Sequence, residues 1–265
     1  NACFPISTNT IASSQTVCIG SSVANLTGSV PTGGNDSYTY LWQNSSDGIT
    51  WTNAAGTNTL VNYNVPSITS TTYFKRIVYS CSEVSSSNQV TITIVPNPTV
   101  SIISSSSTLC SGSTITLTAS GASSYTWTSG PSTSSYTINT AGVYTVTGSN
   151  SNGCVDSKTI NISSSPIPTI NAIANPTVIC MGGTSTLTSS GASTYTWSSG
   201  AISSTVSINT AGIYTVTGTN ASGCSSTQTV SLFVNANPTV TAVSSSTAIC
   251  AGSTATLVAG GATTY

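Results

Sequence analysis

Cysteine is the residue type with the most chemistry to offer here, and its spacing is regular. Cys110, Cys180 and Cys250 follow one another at intervals of 70 residues, and Cys154 and Cys224 are separated by the same interval. Cys3, Cys18 and Cys81 stand ahead of them in a different spacing. No two cysteines form a CxxC pair, and the chain has no histidine, so neither of the common zinc-ligand patterns is present. The missing histidine also removes Ser–His and Cys–His nucleophile pairs. Oxidation to disulfides is what remains, and it points to an extracellular, oxidising setting.

Ionisable side chains are nearly absent: Lys75, Arg76 and Lys158 stand against Asp36, Asp47, Glu83 and Asp156, a net charge of −1. Acid–base work by paired carboxylates would fall to Asp36 and Asp47. Both stand in turn-like sequence (GGNDS, SSDG) and read as solvated turn residues. No loop carries two carboxylates, as a calcium loop would. Lys75–Arg76, with Glu83 nearby, reads as a solvated strand edge rather than an anion site. The expectation is therefore a non-enzyme with no catalytic residue, no metal and no cofactor. The charge balance leaves no electrostatic footprint for nucleic acid or an anionic membrane. No run approaches the roughly 18–20 apolar residues of a membrane span, so no membrane insertion is expected. The sequence opens at Asn1 with no basic-then-apolar leader, which fits a mature chain or a fragment. Sequons at Asn25, Asn35, Asn44, Asn161 and Asn220 read as chance matches in a chain rich in Ser, Thr and Asn.

The elements that must position the cysteines show as repeats. CSGSTITLTASGASSYTWTSG (110–130) returns as CMGGTSTLTSSGASTYTWSSG (180–200) and starts again as CAGSTATLVAGGATTY (250–265). INTAGVYTVTGSNSNGC (138–154) returns as INTAGIYTVTGTNASGC (208–224), and NPTV stands at 97–100, 175–178 and 237–240. Within a repeat, apolar residues alternate as in half-buried strands: Ile115 with Leu117, Tyr125 with Trp127, Tyr144 with Val146, Ile160 with Ile162. Short strands, turn residues between them and no helical period predict an all-β fold of tandem Ig-like β-sandwich domains in a linear array. The expected divisions are a longer, divergent domain at 1–95, repeats at 96–165 and 166–235, and the first half of a further repeat at 236–265. Trp42, Trp127 and Trp197, with Tyr144 and Tyr214, are the expected core aromatics. Residues 236–265 stop before the expected Trp. Half a sandwich leaves its core open, so either the natural chain continues or another copy completes the fold by strand donation.

The pattern C-x-G-x-x-x-x-L-x-A…Y-T-W…A-G-x-Y-T-V-T-G-x-N-x-x-G-C resembles the Ig-like, PKD-like repeats of large secreted surface proteins of Bacteroidota. The first domain's Y-x-W-Q-x-S-x-D-G-x-x-W…T-T-Y-x-x-R resembles a sister class in the same proteins. The resemblance implies gliding-motility adhesins and other cargo of the type IX secretion system, or spacers in secreted enzymes. It supplies no binding residues.

Two cysteine pairings fit this frame. Within repeats, Cys18–Cys81, Cys110–Cys154 and Cys180–Cys224 would close, leaving Cys3 and Cys250 unpaired; local closure is the cheaper entropically. Against that, each first cysteine precedes the second strand of its sandwich and each second one follows the sixth, turns at opposite ends. Stacked domains would then bond as Cys18–Cys154 and Cys110–Cys224, freeing Cys3 for Cys81. The expected function is a structural stalk or filament segment of a secreted, cell-surface adhesin, with homotypic fibre packing of its nearly uncharged surface. The alternatives are a glycan- or surface-binding tip in residues 1–95, using Tyr38, Tyr40, Trp51, Tyr63, Tyr73 and Phe74, or spacer repeats of a secreted enzyme.

Overall fold

The computed structural model describes residues 3–264. Asn1, Ala2 and Tyr265 lie outside the described residues, and with them the opening and the stop read from the sequence. All regular elements among the described residues are strands. The chain divides into two compact units, Asn1–Ser107 with Thr114–Ile162, and Thr108–Ser113 with Ser163–Tyr265.

The first unit opens with β1 (Phe4–Ser7), β2 (Gln15–Cys18), β3 (Thr32–Gly34), β4 (Thr39–Ser45), β5 (Thr52–Asn53), β6 (Thr72–Ser80), β7 (Glu83–Ser86) and β8 (Val90–Val95). One sheet runs β2-β8-β6-β4-β5, with β7 also on β6. The opposing layer is sparse: the β1–β3 ribbon and single bridges at Ile11–Gly28 and Leu26–Tyr63. Its core is aromatic. Trp42 stacks on Tyr63 at 5.6 Å, Tyr63 meets Phe74 at 5.8 Å, and Leu26, Val90 and Ile92 close around them.

Strict alternation along β6 sends Thr72, Phe74, Arg76, Val78 and Ser80 inward. This corrects the reading of Lys75–Arg76 as a solvated edge, because Arg76 is fully buried. Its Nε and Nη2 donate to Asn9 Oδ1 at 3.1 and 2.9 Å, Nη1 donates to the Val61 carbonyl at 3.0 Å, and Nη2 to the Ser29 carbonyl at 2.9 Å. The guanidinium also lies 5.1 Å from the Tyr40 ring centre. Neutral oxygens and a π face thus take the place of a carboxylate. Burial pushes the Arg76 pKa down, but guanidinium starts so high that it stays charged. Gly28 is obligatory beside it, since a Cβ there would collide with Arg76 Nη1.

Residues further along the first unit form β9 (Ser101–Ser104), β11 (Ile115–Ser120), β12 (Ser124–Trp127), β13 (Ser135–Ile138), β14 (Gly142–Ser149) and most of β15 (Val155–Ser165); β10 (Thr108–Cys110) belongs to the second unit. β11 pairs with β9 and β13, while β14 pairs with β12 and with β15 up to Ile162. Ile115, Leu117 and Ala119 of β11, Trp127, Val146 and Ile162 are buried. Outward hydroxyls pair across strands instead of charges, as in Thr145–Thr159 at 3.0 Å and Thr147–Ser157 at 2.8 Å.

The second unit holds a complete sandwich: β16 (Asn171–Asn175), β17 (Val178–Cys180), β18 (Ser185–Ser190), β19 (Thr194–Trp197), β20 (Thr205–Ile208), β21 (Gly212–Thr219) and β22 (Ser225–Asn235). Its sheets run β16-β18-β20 and β17-β22-β21-β19, so the chain changes sheets between β16 and β17. All pairs are antiparallel except β17 on β22. This is an immunoglobulin-like sandwich. Leu187, Trp197, Val216 and Ile170 form its core. A two-stranded antiparallel ribbon, β23 (Thr241–Ser244) on β24 (Leu257–Gly260), follows.

Two polar devices recur at 70-residue spacing. The indole of Trp127 donates to the Thr133 carbonyl at 3.0 Å and that of Trp197 to Ser203 at 2.9 Å, tying the loop after the strand to the core. Trp42 does the same to Leu60 at 2.9 Å. Tyr144 and Tyr214, half-buried, donate their hydroxyls to the carbonyls of Thr140 and Thr210, four residues upstream, the tyrosine corner of immunoglobulin sandwiches.

Candidate functional site: the cystine junctions

Each first cysteine ends a short strand lying parallel to the last strand of its own sandwich. Cys18 registers with Val95, Cys110 with Ser165 and Cys180 with Asn235. A C-x-G turn follows, closed by Ser113 N–H on the Cys110 carbonyl (3.0 Å) and Gly183 N–H on that of Cys180 (2.8 Å). Gly112 and Gly182 take φ of +79° and +88°, which only glycine adopts without strain.

The second cysteine ends a tight Asx-stabilised turn, N-x-x-G-C. Asn220 Oδ1 accepts the N–H groups of Ser222 and Cys224 at 3.0 Å each, and Asn150 Oδ1 does the same for Asn152 and Cys154. The same asparagines reach outward through Nδ2. Asn150 donates to the Pro96 carbonyl at 3.0 Å, and Asn220 to that of Pro166 at 2.9 Å.

The bonds that form are Cys3–Cys81, Cys18–Cys154 and Cys110–Cys224, with Cα separations of 6.4, 5.4 and 5.6 Å; Cys180 and Cys250 are free and exposed. The within-repeat pairing Cys18–Cys81, Cys110–Cys154, Cys180–Cys224 is therefore corrected, and so is the placing of Cys3 among the unpaired. Strand length explains it. Cys180 is level with Asn235 at the far end of β22, whereas Cys224 precedes Ser225 at its start. Eleven strand residues separate the two by about 35 Å, and a disulfide spans roughly 7 Å between Cα atoms at most. In the first domain β6 holds Cys18 and Cys81 apart in the same way.

A backbone hydrogen bond within its own repeat holds each first cysteine in place. Ile19 N–H donates to Val95 O at 2.9 Å beside Cys18, and Ser111 N–H to Ser165 O at 3.1 Å beside Cys110. Cys154 and Cys224 are buried. The sequence reading missed Asn150 and Asn220, although their recurrence before G-C was visible. The Asn220 sequon lies inside a junction.

The other singled-out residues do not converge. Asp36 and Asp47 are exposed turn residues. The N–H groups of Ile49 and Thr50 and the Ser45 hydroxyl all donate to Asp47, holding its carboxyl well below the usual range. Among the described residues no three His, Cys, Asp or Glu side chains cluster as a metal site would need. Tyr63 and Phe74 are core, Tyr40 lies under Arg76, and Tyr38 donates to Gly33 O at 2.6 Å. Trp51 and Tyr73 remain half-exposed on the sheet's outer side, with Lys75 Nζ 4.3 Å above the Trp51 ring.

A family model described as a domain of unknown function (DUF8696) matches residues 7–96. No curated protein matches the sequence. Among solved structures, the chain is similar to Sidekick-1 immunoglobulin domains 1–5 at 13% identity and a TM-score of 0.35, covering 89% of this chain and 60% of that one. It is similar to a 1.5-MDa bacterial ice-binding adhesin at 17% identity and a TM-score of 0.34, covering 89% and 99%. The N-terminal eight Ig domains of Down Syndrome Cell Adhesion Molecule align at 13% identity and 0.35, covering 90% and 38%.

Proposed function

We propose that this chain is a structural, load-bearing segment of a secreted cell-surface adhesin, and not an enzyme. The observation that carries this is the placement of the disulfides: a cysteine of one repeat bonds a cysteine of the next, at Cys18–Cys154 and Cys110–Cys224. Bridges inside a sandwich protect that sandwich alone. Under end-to-end tension Cys110–Cys224 carries the load past the linker after Ser165 even when a domain opens, while Cys18–Cys154 ties the first two repeats together beside that path. The sugar-like coat of Ser and Thr hydroxyls and the stable cystines suit an extracellular site. The resemblance of the repeats to surface proteins of Bacteroidota adds type IX secretion as the export route, and the nearly uncharged surface, which repels copies of itself weakly, adds self-packing into fibres as the assembly.

Force spectroscopy on the whole chain, held at its two ends, tests the load-bearing role. With the observed bonds intact, about 75 residues lie on the shortest covalent path, so the fully unfolded chain reaches about 250 Å from end to end. Reduction should raise this to about 900 Å. Within-repeat bonds would leave about 117 residues, or about 400 Å. An unreduced chain that extends like the reduced one would remove the mechanical reading.

A tip function for residues 1–95 has one specific observation behind it, the Trp51–Lys75–Tyr73 surface, a half-exposed aromatic platform of the kind that stacks on sugar rings. A glycan array with the full chain should then show binding that Trp51→Ala abolishes. A blank array leaves the segment purely structural.

A further inference from the structure

Corresponding positions in the three sandwiches form a built-in comparison. Two residues before each first cysteine, the short parallel strand sets an outward residue beside one on the last strand of its own sandwich. The pairs are Thr16 with Thr93, Thr108 with Ser163, and Val178 with Phe233. The first two are hydroxyl pairs, Thr108 Oγ1 and Ser163 Oγ lying 3.2 Å apart. The third is apolar, with Val178 46% and Phe233 62% exposed. Ile213 shares their face, because it stands opposite Ser231 and Phe233 follows Ser231 by one full pleat; it is 72% exposed. With Ala211 and Ser231, Ile213 and Phe233 line a shallow depression of about 370 Å³.

The counterpart face of the 96–165 repeat, which a whole repeat follows in the chain, is open as well. There Val143, the counterpart of Ile213, is 68% exposed, and Ser163 is exposed. Exposure is thus common to this face in both repeats, and the change from hydroxyl to Val and Phe is confined to the 166–235 repeat. Around the apolar patch the same face carries the paired hydroxyl residues Thr215 with Thr229 and Thr217 with Thr227. Residues 166–235 contain no Asp, Glu, Lys or Arg.

These features select a partner. A hydroxyl both donates and accepts, so a hydroxyl-rimmed face can bond an identical face, and no charge opposes the approach. The three apolar side chains expose roughly 300 Å², enough to mark an interaction surface. Two copies meeting there would bury about 600 Å² of apolar surface, which with the hydroxyl rim makes a small, weak interface.

We propose that the Val178–Ile213–Phe233 face is where two copies of this chain meet, across a two-fold axis that sets Phe233 against the partner's Phe233. The contact deepens the self-packing proposed above by naming its surface, and it rests on that reading for the choice of partner. One such contact per chain joins two stalks side by side.

Sedimentation equilibrium on the full chain, up to millimolar concentration, tests the contact. All chains carry Cys180→Ser and Cys250→Ser, so that no thiol cross-link imitates it. The expected result is a reversible dimer whose dissociation constant rises about tenfold or more in Phe233→Ser. That variant installs the residue its twin, Ser163, already carries, and an unchanged thermal midpoint confirms that it folds. Thr108→Val with Ser163→Phe builds a second patch and should give species larger than a dimer. A dimer that Phe233→Ser leaves intact overturns this face while self-packing stands. A doubly patched chain that stops at the dimer also overturns it. A monomer at every concentration overturns the second copy as partner and self-packing with it, while the load-bearing role, read on single molecules under force, is untouched.

Discussion

Removing the Cys110–Cys224 bond gives a prediction that depends on which cysteines are partners. The bond closes a loop of 114 residues, worth about 5 kcal/mol of unfolded-chain entropy. The Cys18–Cys154 bond shares part of that loop and shortens its effective length to roughly 100 residues, which leaves the figure near 5. All variants carry Cys180→Ser and Cys250→Ser, so that no free thiol can substitute. Cys110→Ser, Cys224→Ser and the pair together should then cost the same, about 5 kcal/mol, since the second change removes a bond already lost. Spread over roughly 140 residues of coupled sandwich, that lowers the calorimetric midpoint by about 15 °C. Cys110→Ser with Cys154→Ser breaks two bonds and should cost about twice as much. A loss that adds between Cys110 and Cys224, but not between Cys110 and Cys154, would refute the reasoning and restore within-repeat pairing.

Other consequences follow from single residues. Arg76→Met should destabilise the first domain by about 3 kcal/mol or more, because it strands Asn9 Oδ1 and the carbonyls of Ser29 and Val61 without donors; a denaturant titration with unchanged midpoint would show the guanidinium is dispensable. Trp127→Ala and Trp197→Ala should each cost about 3–5 kcal/mol, read by thermal unfolding, since each indole is buried and also holds a loop carbonyl. Asp47 has a folded pKa below its unfolded one, so its contribution is complete above the ordinary carboxylate range near pH 4 and is lost as pH falls through the folded value. Asp47→Asn should therefore flatten the acid limb of the stability profile and lower stability at neutral pH; an unchanged acid limb argues against the turn geometry.

Much of the fold was legible because alternation and period are both local signals. Ile115 with Leu117, and Trp127 with its 70-residue twin, lie where hydrophobic periodicity puts them. The cysteine pairing was not, because it depends on how far apart a strand holds its two ends. Loop-closure entropy favours Cys180–Cys224, yet the length of β22 forbids it, and only topology reveals that both cysteines flank the same strand. Arg76 was readable in principle. It falls between Phe74 and Val78 on the inward phase of β6, and charge alone was given more weight than that phase. Asn150 and Asn220 carried a repeat signal without a chemical one; an asparagine three residues before a glycine reads first as a turn, and its second contact, with Pro96 or Pro166, is made only by the fold.

Proteolysis of the unreduced chain followed by mass spectrometry of the linked peptides tests the central claim most directly. Peptides joining Cys18 to Cys154 and Cys110 to Cys224, with Cys180 recovered as a thiol, are the predicted products. Recovery of Cys110 joined to Cys154 and Cys180 joined to Cys224 would contradict it, leaving separate stapled domains where covalently joined neighbours are described.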